Sequence, residues 1–131
     1  MMTLINPIFT TAGRILLSAI FISAGLSKLG DGYAGTQAYM SMMGVPASLL
    51  PLVIVTEIGA GFAIVLGFQT RVAAFLLAGF TLLSAILFHS NFAEQMQSIL
   101  FMKNLAIAGG LLLMVAKGGG RLSIDHYRSQ S

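Results

Sequence analysis

The sequence predicts an all-α protein: a four-helix transmembrane bundle with a short interfacial helix in its first outer connection. Composition is the first reason, since 56% of the 131 residues are apolar and only 8% are charged, against about 25% charged in a soluble domain. The mean hydropathy of +0.90 is the second. The third is that four apolar runs are each long enough to cross a hydrocarbon core, which takes roughly 20 helical residues. Each is read as a helix because a helix satisfies its own backbone hydrogen bonds where water is absent. The four runs consume most of the chain, so residues 1–131 form a single integral membrane domain.

The first span covers about residues 8–29. It lacks a basic leader and a small-residue cleavage site, so it reads as a retained span and not a signal peptide. Arg14, Ser18, Phe21, Gly25 and Lys28 follow one another at steps of four and three, which places them on one face. Tyr33 to Met43 mixes aromatic and methionine side chains with polar ones and ends at Gly44 and Pro46, the pattern of a short interfacial helix stopped by Gly and Pro. The second span, Ala47 to Leu66, carries Glu57 near its middle and Gly59, Ala63 and Gly67 at small-xxx-small spacing, which lets membrane helices approach closely. The third, residues 72–88, sets Ala74, Ala78, Thr81 and Ala85 on one face with His89 one turn beyond. Asn91 and Glu94 have capping-box spacing, which starts the fourth helix near Phe92, ahead of a span over residues 99–116. Lys103, Ala106, Gly110, Leu113 and Lys117 mark its inward face by the same stepping.

An even number of spans places both termini on one side of the membrane. That side carries Arg14, Arg71, Lys117, Arg121 and Arg128, against Lys28 and Lys103 on the other, so the positive-inside rule makes both termini cytoplasmic. These cations give a net charge of +3 and a pI near 9.7. They are scattered over helix ends and read as topology signals, not as a nucleic-acid patch. The absence of cysteine excludes thiol redox chemistry and thiolate metal sites. His126 lies in the tail, so His89 has no facing histidine with which to hold a haem, and one histidine at a span end makes no metal site.

Glu57 is the focus of the functional reading. An ionisable group at a helix centre costs about 2.5 to 3.5 kcal/mol even on the lenient insertion scale, so it calls for a partner and a role. Counting helical rise puts both Arg14 and Lys103 within side-chain reach of Glu57, and the sequence leaves that choice open. Lys28, His89, Lys103 and Asn104 gather at the outer mouth of the bundle with Glu57 beneath them. Such a pocket suits a ligand bearing carbonyl or hydroxyl oxygens, because Lys and Asn donate to oxygen while His or Glu exchanges protons. Glu57 and His89 are the candidate catalytic groups, and a quinone head group is a ligand of this kind. Structural readings stand beside these: buried charges that fix helix register, lysines that anchor at the interface, and an interfacial His89.

The run with Arg14, Phe21, Gly25 and Lys28, then Tyr33-Ala34-Gly35-Thr36-Gln37 to Met43-Gly44-Val45-Pro46 and Glu57-Ile58-Gly59 to Gly67-Phe68-Gln69-Thr70-Arg71, resembles the DoxX family of small bacterial inner-membrane proteins. The similarity continues through Phe88-His89-Ser90-Asn91-Phe92-Ala93-Glu94, Phe101-Met102-Lys103-Asn104-Leu105 and Ser123-Ile124-Asp125. The resemblance implies a four-helix protein of the bacterial inner membrane whose family name traces to a subunit associated with quinol oxidation and thiosulfate:quinone oxidoreduction. Arg14, Lys28, Glu57, Lys103 and Asn104 match polar positions of that family. Three functions are therefore weighed. One is a redox-linked component that binds a quinone or similar lipophilic small molecule from the lipid bilayer; lacking cysteines, haem ligands and a flavin motif, it needs a redox partner subunit. Another is a non-enzymatic accessory subunit of a membrane assembly. The last is a small proton-coupled transporter, for which four short helices call for a homo-oligomer.

Overall fold

The computed structural model describes residues 2–129. Four long helices, Met2–Ser27, Ala47–Leu66, Thr70–Phe88 and Gln95–Lys117, carry stretches long and apolar enough to cross a membrane. A shorter helix, Asp31–Met42, precedes the second of them, and a terminal helix, Ile124–Ser129, follows the last. No strand occurs among the described residues. The all-α bundle that composition dictates is therefore the fold. The end carrying both termini is called proximal below, and the other end distal.

Asp31–Met42 stops at Gly44, whose φ of 79° is the left-handed geometry that glycine adopts without strain. The start of the fourth helix differs from the sequence reading. Glu94 is extended (φ −94°, ψ 126°) and caps nothing with its side chain, while its amide donates to Asn91 O at 3.2 Å. Asn91 to Glu94 is thus a turn and not a capping box, and the helix begins at Gln95 instead of near Phe92. The Phe92 ring, edge-on to Phe101 at 5.0 Å, fixes the connection against the helix it precedes.

The first helix packs along the second and the third along the fourth, and a core of Phe21, Ile64, Ala74, Leu77 and Leu111 joins the two pairs. Arg14, Ser18, Phe21 and Gly25 of the first helix and Ala74, Ala78, Thr81 and Ala85 of the third are all buried, as their spacing predicts. The fourth helix is rotated from its expected face: Ala108 and Leu111 are buried, while Lys103, Ala106, Leu113 and Lys117 are exposed. The two lysines drew that stripe inward on paper, yet long cations reach water best by pointing away from a bundle. Leu and Ala are equally at home against lipid, so hydropathy could not correct the error.

Glycines set the crossing of the first two helices. A Cβ on Gly25 would lie 2.5 Å from Ile58 Cγ1 and 3.2 Å from Glu57 Cβ, and one on Gly61 would lie 2.8 Å from Ile22 Cγ1. The backbones therefore meet beside Glu57. The second helix is also irregular there. A 3-10 turn, Ala47–Leu49, leads into α-helix Leu50–Val55, then a π-helical stretch Thr56–Ala60, then α-helix Gly61–Leu66. π-Turns of this kind insert a residue into the helix and re-aim side chains, frequently at functional sites.

Candidate functional site

The π-stretch buries Glu57 to 5% side-chain exposure and brings its Oε1 within 2.7 Å of Lys28 Nζ, itself 22% exposed. Lys28 also donates to Ala24 O at 3.2 Å, a carbonyl in the last turn of the first helix that Ser27 Oγ reaches at 2.7 Å as well. Glu57 thus pairs with neither of the cations expected for it, Arg14 or Lys103. The reason is the direction in which helical side chains lean. Every Cα–Cβ bond tilts toward its helix N-terminus, and the first two spans are antiparallel. Lys28 therefore reaches back into the bundle while Glu57 reaches distally, so the two converge, whereas Arg14 leans proximally, away from the carboxylate.

Arg14, only 1% exposed, lies a few turns away at the proximal end of the second helix. Its Nη1 donates to Ile64 O and Val65 O at 2.9 Å each, and its Nη2 donates to Thr11 Oγ1 at 3.2 Å and to Leu122 O. Its charge is met by carbonyls at a helix C-terminus, where the backbone dipole favours a cation. Lys103 is exposed on the fourth helix. Asn104 turns its amide to Thr81 O at 3.3 Å and ties the third helix to the fourth.

The Lys28–Glu57 pair opens onto a groove of about 830 Å³ between the second and third helices. These helices touch through the π-stretch and the proximal half of the second helix. Beyond it the groove runs from Lys28, Tyr39 and His89 at the distal end to Phe68 and Gln69 at the proximal end. Gly59, Ala60 and Ala63 with Ala73 opposite give it depth, and Leu52, Val55, Leu76, Phe80 and Leu83 make it apolar. The small-xxx-small residues Gly59 and Ala63 therefore line a groove instead of seating a helix. Nothing lies within 4 Å of where a Cβ on Gly59 would be. Tyr39 stacks on Phe88 at 5.4 Å, and both line the groove at its distal end.

His89 adds a second polar group there. Its Nδ1 lies 2.9 Å from Gln97 Oε1; with that oxygen accepting from Nδ1–H, the neutral ring presents Nε2 as an acceptor. Gln97 gave no sign of this in the sequence. Lys28, Glu57 and His89 share the groove, while Arg14, Lys103 and Asn104 do not line it. The groove can thus hold an elongated apolar body whose oxygen-bearing head meets a cation, a carboxylate and an imidazole.

The DoxX family model matches residues 9–90, well over half the chain. The chain belongs to the DoxX family. It is 59% identical over 112 residues to inner membrane protein YqjF of Escherichia coli K12, covering 86% of this chain and 85% of that protein. It is 37% identical over 127 residues to inner membrane protein YphA of the same organism, covering 92% and 90%. No solved structure matches it.

The proximal end of this DoxX protein is closed by its terminal helix. Asp125 accepts from Gln69 N at 2.6 Å and Thr70 N at 2.7 Å, and its own amide donates to Gly67 O at 2.8 Å. It caps the third helix from more than fifty residues away in sequence. Partial burial pushes the Asp125 carboxyl up, but Thr70, the Gln69 amide and the charge of Arg128 outweigh it and hold the group below the ordinary aspartate range. The Thr70 hydroxyl is buried without a hydrogen bond of ordinary geometry, so we assign the lowering to the two amides and the arginine. Because the folded value is depressed, this contribution to stability is present above the unfolded aspartate pKa and is lost as pH falls through the folded one. Between pH 7 and pH 5 the Thr70 amide resonance should stay fixed and then titrate with a midpoint below the ordinary aspartate value. Asp125→Ala should lower stability by about 1 kcal/mol and abolish that titration; a midpoint above the ordinary aspartate value would contradict the cap.

Proposed function

We propose that the protein is a bacterial inner-membrane component, with both termini cytoplasmic, that binds a quinone or similar lipophilic small molecule in the groove between the second and third helices. The observation that carries this reading is a buried ion pair, Lys28–Glu57 at 2.7 Å, opening onto an apolar groove of about 830 Å³. An isoprenoid tail lies along the wall of alanines, leucines and phenylalanines. At the head, Lys28 donates to a carbonyl oxygen and His89 Nε2 accepts from a hydroxyl, so the oxidised and reduced forms each find a partner. Glu57 is the group able to pass a proton when the head changes between them. A sequence without cysteines, haem ligands or a flavin motif supplies no electrons itself, so a partner subunit does.

The test uses decylubiquinone titrated into the detergent-purified protein. Gly59→Leu places a side chain into the groove at a position where a Cβ meets nothing, and leucine also favours a helix over glycine by nearly 1 kcal/mol. Binding should weaken by about tenfold or more, the scale of one 1.4 kcal/mol loss, while thermal stability is unchanged or raised. Wild-type protein that shows no saturable binding, or Gly59→Leu that binds equally well, would remove the groove from consideration.

A further inference from the structure

Three cations scattered in sequence, Arg71, Lys117 and Arg121, line a single proximal cleft of about 490 Å³. None of the three has a hydrogen-bond or ion-pair partner among the described residues. Cations placed only to set topology need not converge, because the positive-inside rule counts charges without regard to where they sit on the surface. Here the loop Gly118-Gly119-Gly120 folds them together. Gly118 and Gly120 adopt φ of 77° and 83°, and a Cβ on Gly118 would stand 3.2 Å from Arg71 Nε, so the guanidinium lies against bare backbone. The amides of Gly119 and Gly120 donate to no acceptor among the described residues. Consecutive free amides in a glycine turn form a concavity that suits an anion.

Two further observations point the same way. The Thr70 side chain, fully buried and lining the cleft, has its hydroxyl beside Asp125 but in no hydrogen bond of ordinary geometry. Asp125, the carboxylate on the cleft wall, spends its two oxygens on the amides of Gln69 and Thr70. The positive charge of the cleft is therefore not cancelled from within by a salt bridge.

We infer that this cleft binds a phosphate group, held by Arg71, Lys117 and Arg121 with the glycine-loop amides beneath it. Arginine forks and free amides match the oxygens of phosphate in geometry as well as charge. At the end of two membrane-crossing helices, the source is the head group of an anionic phospholipid or free phosphate from solution. The cleft adjoins the proximal end of the groove through Gln69 and Val72, but its three cations line the cleft alone, so it stands or falls independently of the ligand proposed for the groove.

The experiment is native mass spectrometry of the detergent-purified protein with phosphatidylglycerol and, separately, phosphatidylcholine. Wild type should retain phosphatidylglycerol in preference, and Arg71→Gln with Lys117→Gln and Arg121→Gln should abolish the preference, at about fivefold per cation removed. Circular dichroism establishes that the triple variant is folded; if it is not, Arg121→Gln alone, on the exposed loop, should show the single fivefold step. Inorganic phosphate is the second arm: retention of phosphate with the same dependence on the three cations, without a phosphatidylglycerol preference, assigns the site to a soluble anion. Equal retention of both lipids with no phosphate bound overturns the inference. So does a phosphatidylglycerol preference that survives loss of the cations.

Discussion

Glu57→Leu is expected to cost about 3 kcal/mol of stability, at the lower end for breaking a buried ion pair. The carboxylate is 5% exposed and Lys28 22%, so removing the acid leaves an ammonium mostly enclosed with one carbonyl, Ala24 O, for company. The partial exposure of Lys28 lets it swing toward the distal interface, which holds the cost below that of a fully buried orphan charge. Replacing both groups, Lys28→Met with Glu57→Leu, removes the uncompensated charge and should recover most of the loss. Denaturant unfolding in detergent measures all three proteins. Decylubiquinone binding is expected to follow a different pattern: the double variant, though stable again, should bind at least tenfold more weakly, because a hydrogen bond to a charged group contributes about 1.5 to 3 kcal/mol. If the double variant recovers stability and also binds like wild type, the pair sets helix register and nothing more.

Span length and the make-up of each helix face decide which parts of this site are legible in the sequence. The spans were legible because an apolar run of membrane length has one stable backbone conformation in lipid. The inward faces of the first and third helices were legible because each mixes small or polar residues into its stripe, as with Arg14, Ser18 and Gly25 or Ala78 and Thr81. The fourth helix offers no such contrast, and its face was lost. Lys28 as the partner of Glu57 was in principle readable: side chains of antiparallel helices lean toward each other when each residue lies on the C-terminal side of the other's level, as Lys28 and Glu57 do. The π-stretch Thr56–Ala60 was not readable, since its residues carry no local preference for that geometry, and the groove exists only because two helices part beyond it. Asp125 was visible as a residue but its role was not, because a cap supplied by a distant helix leaves no local pattern.

Arg14→Leu should also be strongly destabilising, and it should leave the groove chemistry intact. The guanidinium satisfies Ile64 O, Val65 O and Leu122 O at once. Ile64 O keeps the Gly67 amide at 3.1 Å, but Val65 O and Leu122 O lose their donor; each carbonyl so left costs about 1 to 3 kcal/mol, so a loss of about 2 kcal/mol or more is expected. Arg14→Lys keeps the charge but lacks the planar fork that reaches the second helix and the terminal segment together, and should restore only part of it. The proximal end should loosen first, because Leu122 is held by Nη2 and the following Asp125 cap depends on that docking. Hydrogen exchange should therefore accelerate over residues 118–129 and at the Gln69 and Thr70 amides before the distal half responds. Arg14 does not line the groove, so the folded fraction of Arg14→Lys should bind decylubiquinone as wild type does. Loss of binding in a protein whose distal helices keep wild-type exchange would instead place Arg14 in the ligand's path and require the groove to extend past Phe68 to the proximal core.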